Sequence, residues 1–164
     1  STYKEDILND QLNHIKFLVG SWRTEDKVHL PTGQLLFGTG SLQVSLSPTG
    51  AWIDSLFVSN TKDYAVQVVY YTRSGELEAM AFNGNPKGPM VYQCSRLDNG
   101  KVVFTSCADE GGTIQRVLYQ LVAPGIVSFV VESSQAGGDF EPHSESRWTS
   151  PAASAANKSS LGAL

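Results

Sequence analysis

The sequence predicts an all-β chain, an up-and-down antiparallel β-barrel of about ten strands with a short N-terminal helix capping one end. Three observations carry this expectation. Val, Thr, Tyr and Phe recur between frequent glycines, fifteen in 164 residues, a composition that favours strands joined by tight turns. From Gly20 the even positions run Gly20, Trp22, Thr24, Asp26, Val28 against Ser21, Arg23, Glu25, Lys27, His29, the period of two of a strand with one enclosed face. Further segments of this kind follow at fairly even spacing, each ended by a turn signal, which is the cue for a meander that removes its exposed edges by closure. A β-sandwich is the alternative.

The elements follow in order. Residues 2–17 carry Ile7, Leu8, Leu12 and Ile15 at three- and four-residue spacings behind Thr2-Tyr3-Lys4-Glu5, which has capping-box form, so an amphipathic helix is expected to cover an open barrel end. Gly20 lets the chain enter the first strand at once, with Trp22 pointing inward. After Pro31-Thr32-Gly33, Leu36, Gly38, Gly40, Leu42, Val44 and Leu46 keep one face apolar or small, the glycines marking a coil or bend. Residues 51–58 alternate Trp52, Asp54, Leu56 with Ile53, Ser55, Phe57, and either face could be inward. Residues 64–72 are apolar on both faces, so the outer one is expected to be covered by the helix, the tail or a partner subunit. Residues 76–82 lead to the loop 83–89. Residues 90–97 and 101–107 form a hairpin about Asp98-Asn99-Gly100. Residues 113–121, 126–132 and 141–149 complete the series, and an Ala- and Ser-rich tail of low complexity follows from 150 to 164. The chain thus reads as one domain, 1–149, with a tail.

Composition narrows the function classes. A net charge of −4, with 17% charged and 41% hydrophobic residues, offers no basic footprint for nucleic acid. No window approaches the roughly 20 apolar residues of a spanning helix, and the first residues lack the features of a signal peptide, so a cytoplasmic location is the default expectation. Cys94 and Cys107 lie on the two arms of the hairpin. They are read as free, buried thiols, a disulfide being the alternative; a two-residue turn at Asn99-Gly100 would set Cys94 opposite Thr105. The three histidines, His14, His29 and His143, show no metal-ligand spacing, and there is no nucleophile elbow, phosphate loop or dinucleotide fingerprint.

A short helix, Gly20-Ser21-Trp22 opening the first strand, about ten meandering strands and Arg147 in the last together resemble the calycin superfamily. Lipocalin-like domains of the DUF1579 type and nitrobindin-like ten-stranded barrels are the nearest in pattern, over roughly residues 12–149. The resemblance implies a lumen holding one hydrophobic or amphipathic small molecule. It also implies that Arg147 packs across Trp22, a cation–π contact of about 0.5 to 2 kcal/mol. The superfamily includes bilin lyases and natural-product cyclases, and nitrobindin-like members hold haem through a late-strand histidine, which singles out His143 although its neighbourhood is polar.

With Arg147 inward, His143 and Glu145 would share its face, and Asp26 would meet them across the neighbouring strand. Asp26, Glu145 and His143 are therefore the candidate acid and base groups, for an isomerase, cyclase or lyase step. The plainer alternative pairs Asp26 with Arg147 for structure alone. Trp22, Trp52, Tyr70, Tyr92, Phe104, Tyr119 and Arg147 are the candidate ligand contacts. No cofactor is required by this reading, haem or bilin being a minor alternative, and a homodimer through residues 64–72 remains open.

Overall fold

The computed structural model describes residues 11–151 and 153. Ten strands form in chain order: β1 (Gly20–His29), β2 (Leu35–Leu46), β3 (Trp52–Ser59), β4 (Ala65–Arg73), β5 (Glu76–Phe82), β6 (Met90–Asp98), β7 (Lys101–Ser106), β8 (Thr113–Ala123), β9 (Ile126–Gln135) and β10 (Glu141–Thr149). Each pairs antiparallel with its neighbours in sequence, and β1 pairs with β10, so the meander closes into a barrel as expected.

The closing register places Thr24 opposite Trp148, Asp26 opposite Ser146 and Val28 opposite Ser144. Residues opposite each other in an antiparallel pair share a face. Trp22, Thr24, Asp26 and Val28 therefore turn inward together with Ser144, Ser146 and Trp148, while Glu25, Lys27, Glu145 and Arg147 turn out. On β3 the open choice resolves to the odd face: Ile53 and Ser55 are buried, while Trp52 and Leu56 are exposed.

One end is plugged. Gln11–Asn13 are helical, and the chain then tightens into a 3-10 turn at Lys16–Leu18 instead of continuing as one α-helix to Phe17. Bonds from Ile15 N to Leu12 O and from Leu18 N to Ile15 O set a three-residue repeat, which drops Leu12, Ile15 and Leu18 one above another into the barrel end. All three are essentially buried, against Trp22, Val44, Ile53, Leu77, Val102 and Val127. Full burial of such a side chain contributes about 2 kcal/mol. The Trp22 indole N–H donates to the Leu18 carbonyl at 2.7 Å, tying plug to barrel. Gly20, at φ 145°, makes the abrupt passage from turn to strand in a region that side chains disfavour. The proposed capping box at residues 2–5, together with Ile7 and Leu8, lies outside the described residues, as do Leu161 and Leu164 of the tail.

Glycines 38 and 40 do more than bend β2. A Cβ on Gly40 would stand 2.5 Å from the Phe57 ring and 2.9 Å from Thr24 Oγ1, and one on Gly38 would stand 2.9 Å from Thr61 Oγ1. Their missing side chains are the space that Phe57 and Thr61 occupy.

The hairpin of β6 and β7 turns through Asn99-Gly100, with Asp98 opposite Lys101. A bulge at Ser95 then moves Cys94 opposite Phe104, not Thr105. Both cysteines are free; Cys94 is half-buried, and Cys107, beyond the end of β7, is exposed rather than buried. Among the described residues no second layer covers the outer face of β4: Ala65 and Gln67 are exposed, and Val69 and Tyr71 half-buried.

Gly40→Ala is expected to lower stability by about 1–3 kcal/mol through overpacking against Phe57. Thr39→Ala, on the outer face one residue away, should stay within about 0.5 kcal/mol. Urea denaturation of the two variants makes the comparison.

Candidate functional site

The barrel is hollow above its plug. The plugged end holds the start of β1 and the end of β10; at the opposite end a cavity of about 660 Å3 opens between Phe37, Lys62, Asn83 and His143. Its wall is largely apolar, with Val28, Leu36, Phe57, Val68, Ala81, Met90, Val117 and Val131 among the lining residues. A second, smaller depression of about 250 Å3 lies outside the barrel at the plugged end, between Gln11, Glu76 and the segment 94–97.

The lumen is furnished by one aromatic network. Tyr70, Phe104 and Tyr119 meet pairwise at 5.7–6.1 Å between ring centroids, Tyr119 lies 5.2 Å from Phe129, and Phe129 stacks on Trp148 at 5.4 Å and 25°. Trp148 lies 6.1 Å from Trp22, so the network runs down to the floor. Such contacts are worth about 0.5–1.5 kcal/mol each beyond the area they bury. Their polar ends pair among themselves. The Tyr70 and Tyr119 hydroxyls are 2.7 Å apart, and the Tyr92 hydroxyl donates to Gln115 Oε1 at 2.9 Å.

These surroundings disfavour phenolate. Burial pushes Tyr70 up to about 12, against which hydrogen bonds from Tyr119 and Ser55 act weakly. Burial pushes Tyr92 up to about 12 as well, and burial together with the neighbouring Tyr70 raises Tyr119 further.

Asp26 faces the same lumen, half-buried. Its Oδ1 accepts from the Ser146 hydroxyl at 2.7 Å and its Oδ2 from Thr24 Oγ1 at 3.1 Å. Thr24 is fully buried, which fixes the carboxylate from below.

The expected contacts divide by face. Tyr70, Tyr92, Phe104 and Tyr119 line the cavity, and Asp26 borders it. Trp22 points inward but lies in the floor below the cavity. Trp52 lies outside, because β3 turns its odd residues in; it is 39% exposed and its indole donates to Asp54 Oδ2 at 2.9 Å. Arg147 is also outside and exposed, opposite Glu25, so no Trp22–Arg147 contact forms and Asp26 has no arginine partner. Trp148, one residue on, takes the inward place beside Trp22. Glu145 reaches the rim from the outer face, where Lys27 Nζ at 3.1 Å and His29 Nε2 at 2.7 Å bind it. The hydrogen bond from His29, then that from Lys27, holds its carboxyl below the ordinary range. His143 sits in a bulge between Pro142 and Ser144, exposed at the mouth. Asp26, Glu145 and His143 are thus not gathered into one centre: among the described residues no hydrogen bond joins any two of them.

Sequence reasoning passed over Trp148, Phe129 and Ser146. A signal for them was present, since Ser144, Ser146 and Trp148 alternate with His143, Glu145 and Arg147, a small-or-aromatic face against a charged one.

Fold and cavity together define a closed ten-stranded antiparallel barrel with one open end, an architecture compatible with ligand binding. No protein-family model matches the chain, and no curated protein matches it. Solved structures do. The crystal structure of Rv2717c from M. tuberculosis superposes with a TM-score of 0.60 at 10% identity, over 85% of this chain and 96% of that one. A protein of unknown function from the DUF3598 family of Nostoc punctiforme superposes with a TM-score of 0.59 at 11% identity, over 83% of this chain and 48% of that one. Both are similar in fold. No helix among the described residues is long and apolar enough to cross a membrane.

Tyr70 and Tyr92 bind their protons up to about pH 12 in the folded chain but only to about 10 when unfolded. Their contribution to stability is complete below pH 10 and is lost as pH rises from there through 12. Tyrosinate absorbance at alkaline pH should therefore appear in two parts, the later one coinciding with loss of the near-ultraviolet circular dichroism signal.

Proposed function

We propose that the barrel binds a hydrophobic or amphipathic small molecule in its lumen and acts as its carrier. The cavity of about 660 Å3 carries this reading: it is open at one end, walled by aliphatic and aromatic side chains, and marked by a few fixed polar groups. That combination is what small-molecule sites share. Five of the cavity-lining aromatics, Tyr64, Tyr70, Tyr92, Tyr119 and Trp148, have hydroxyl or indole groups, and the two central hydroxyls, of Tyr70 and Tyr119, satisfy each other.

The same lumen would suit an isomerase, cyclase or lyase. The carrier reading is preferred because Glu145 is engaged on the outer face by Lys27 and His29, leaving Asp26 without the second acid or base group that such steps need. A tetrapyrrole is the other reading, and one observation favours it. His143 stands at the mouth beside the row Val131, Ser144, Val28 and Leu36, which the strand registers place side by side. Haem would find an imidazole and apolar walls there, and when bound would supply redox or gas-binding chemistry.

Titration with the neutral dye N-phenylnaphthylamine tests the carrier reading. Fluorescence should saturate at one dye per chain, and Ala81→Trp, which fills the lumen from the wall, should weaken binding by roughly tenfold while the protein still melts cooperatively. Saturable binding that Ala81→Trp leaves unchanged would place the dye elsewhere and defeat the proposal. Added haem should keep the broad Soret band of free haem; a shifted, sharpened band that His143→Ala removes would favour the tetrapyrrole instead.

A further inference from the structure

We infer that the lumen selects ligands carrying a protonated amine, with Asp26 as the group that receives it. The inference rests on the lumen-binding reading above and names its chemical class. Asp26 is a carboxylate set into the wall of a mainly apolar cavity, where a charge is costly unless it is paired. The four ion pairs among the described residues all leave it out. Lys27, its neighbour in sequence, points outward to Glu145, and Arg147 is on the exterior. Lys62 and His143 border the cavity at its mouth, and neither lies within ion-pairing distance of Asp26.

The carboxylate is held but not saturated. Each oxygen accepts one hydroxyl hydrogen bond, from Ser146 and from Thr24. A carboxylate oxygen offers about two acceptor sites, so one per oxygen remains. Both protein donors come from side chains of the wall, and Asp26 itself lines the lumen. Two hydroxyls orient the group without neutralising it, a fitting arrangement for a site whose counter-charge arrives with the ligand.

The aromatic neighbours agree. Strand pairing sets Asp26, Ser146, Phe129 and Tyr119 in one row across β1, β10, β9 and β8. Trp148, opposite Thr24, stacks on Phe129 just below. A ligand whose cation sits at Asp26 would therefore lie in the row that leads to the rings of Phe129 and Tyr119, and electron-rich rings as well as a carboxylate attract ammonium. On the other side of Asp26 the row continues to Gly38, beside which Thr61 is seated. An ammonium at Asp26 leaves the rest of the cavity, with Val68, Phe104 and Val117 in its wall, for an apolar body.

The test compares three probes of one size at neutral pH by isothermal titration: naphthylethylammonium, naphthylethanol and naphthylacetate. The wild-type protein should bind the ammonium about tenfold tighter than the alcohol and the carboxylate most weakly, the ratio expected when a hydrogen bond gains a charge. Asp26→Asn, nearly isosteric, should abolish the preference for ammonium over alcohol. Equal binding of alcohol and ammonium by the wild type, or a preference that survives in Asp26→Asn, would overturn the inference while leaving the lumen as a binding site. Failure of all three probes to bind, together with failure of the neutral dye, would overturn both. Should Asp26→Asn not fold, the order of the three affinities in the wild type decides alone.

Discussion

Everything about this molecule's interior depends on how its first strand meets its last. The pairing of Thr24 with Trp148 and of Asp26 with Ser146 closes the sheet, and it also decides the inward set on both strands at once. Side chains alternate with a period of two, so a slip of one residue would exchange either Trp148 for Arg147 or Asp26 for Glu25 or Lys27. A lumen holding those charges without partners would be unstable. The hydroxyl of Ser146 on the Asp26 carboxylate adds a side-chain bond inside the wall to the observed register.

The two ends of the barrel have different chemistry because different parts of the chain fill them. At one, three aliphatic residues spaced by three and a tryptophan hydrogen-bonded to the backbone leave no room. At the other, the inward residues become short or polar, Ser59, Asn83 and Ser144 among them, and space remains. The aromatic network bridges the two. It is packed enough to be rigid, and it supplies the wall against which a ligand would lie, so core and site are the same side chains seen from two sides.

The architecture was legible in the sequence, and part of the site was. Alternation in β1 and β2 gave the inward faces of both, and Asn99-Gly100 gave its hairpin, since turn chemistry and period are local properties. What could not be read locally was mostly register. The bulge at Ser95, which moved Cys94 by one place, has no residue that demands it. Trp52 was misplaced because β3 alternates large apolar residues on both faces. Arg147 was misplaced for another reason: likeness to a family outweighed the charged-against-small alternation of β10 itself, which pointed correctly to Trp148. The glycines of β2 read as a bend, whereas Gly40 makes room for Phe57 on the next strand and Gly38 for Thr61 in the turn beyond it, relations that only the folded chain displays.

The hydroxyl of Ser146 reaches Asp26 across 120 positions of chain. Such long-range pairings are costly in loop entropy and tend to form late. Until they form there is no chamber, only an open curved sheet. An occupant can therefore do little to hasten the chain towards its native state, and its stabilising effect falls instead on the reverse reaction, lengthening the lifetime of the finished barrel.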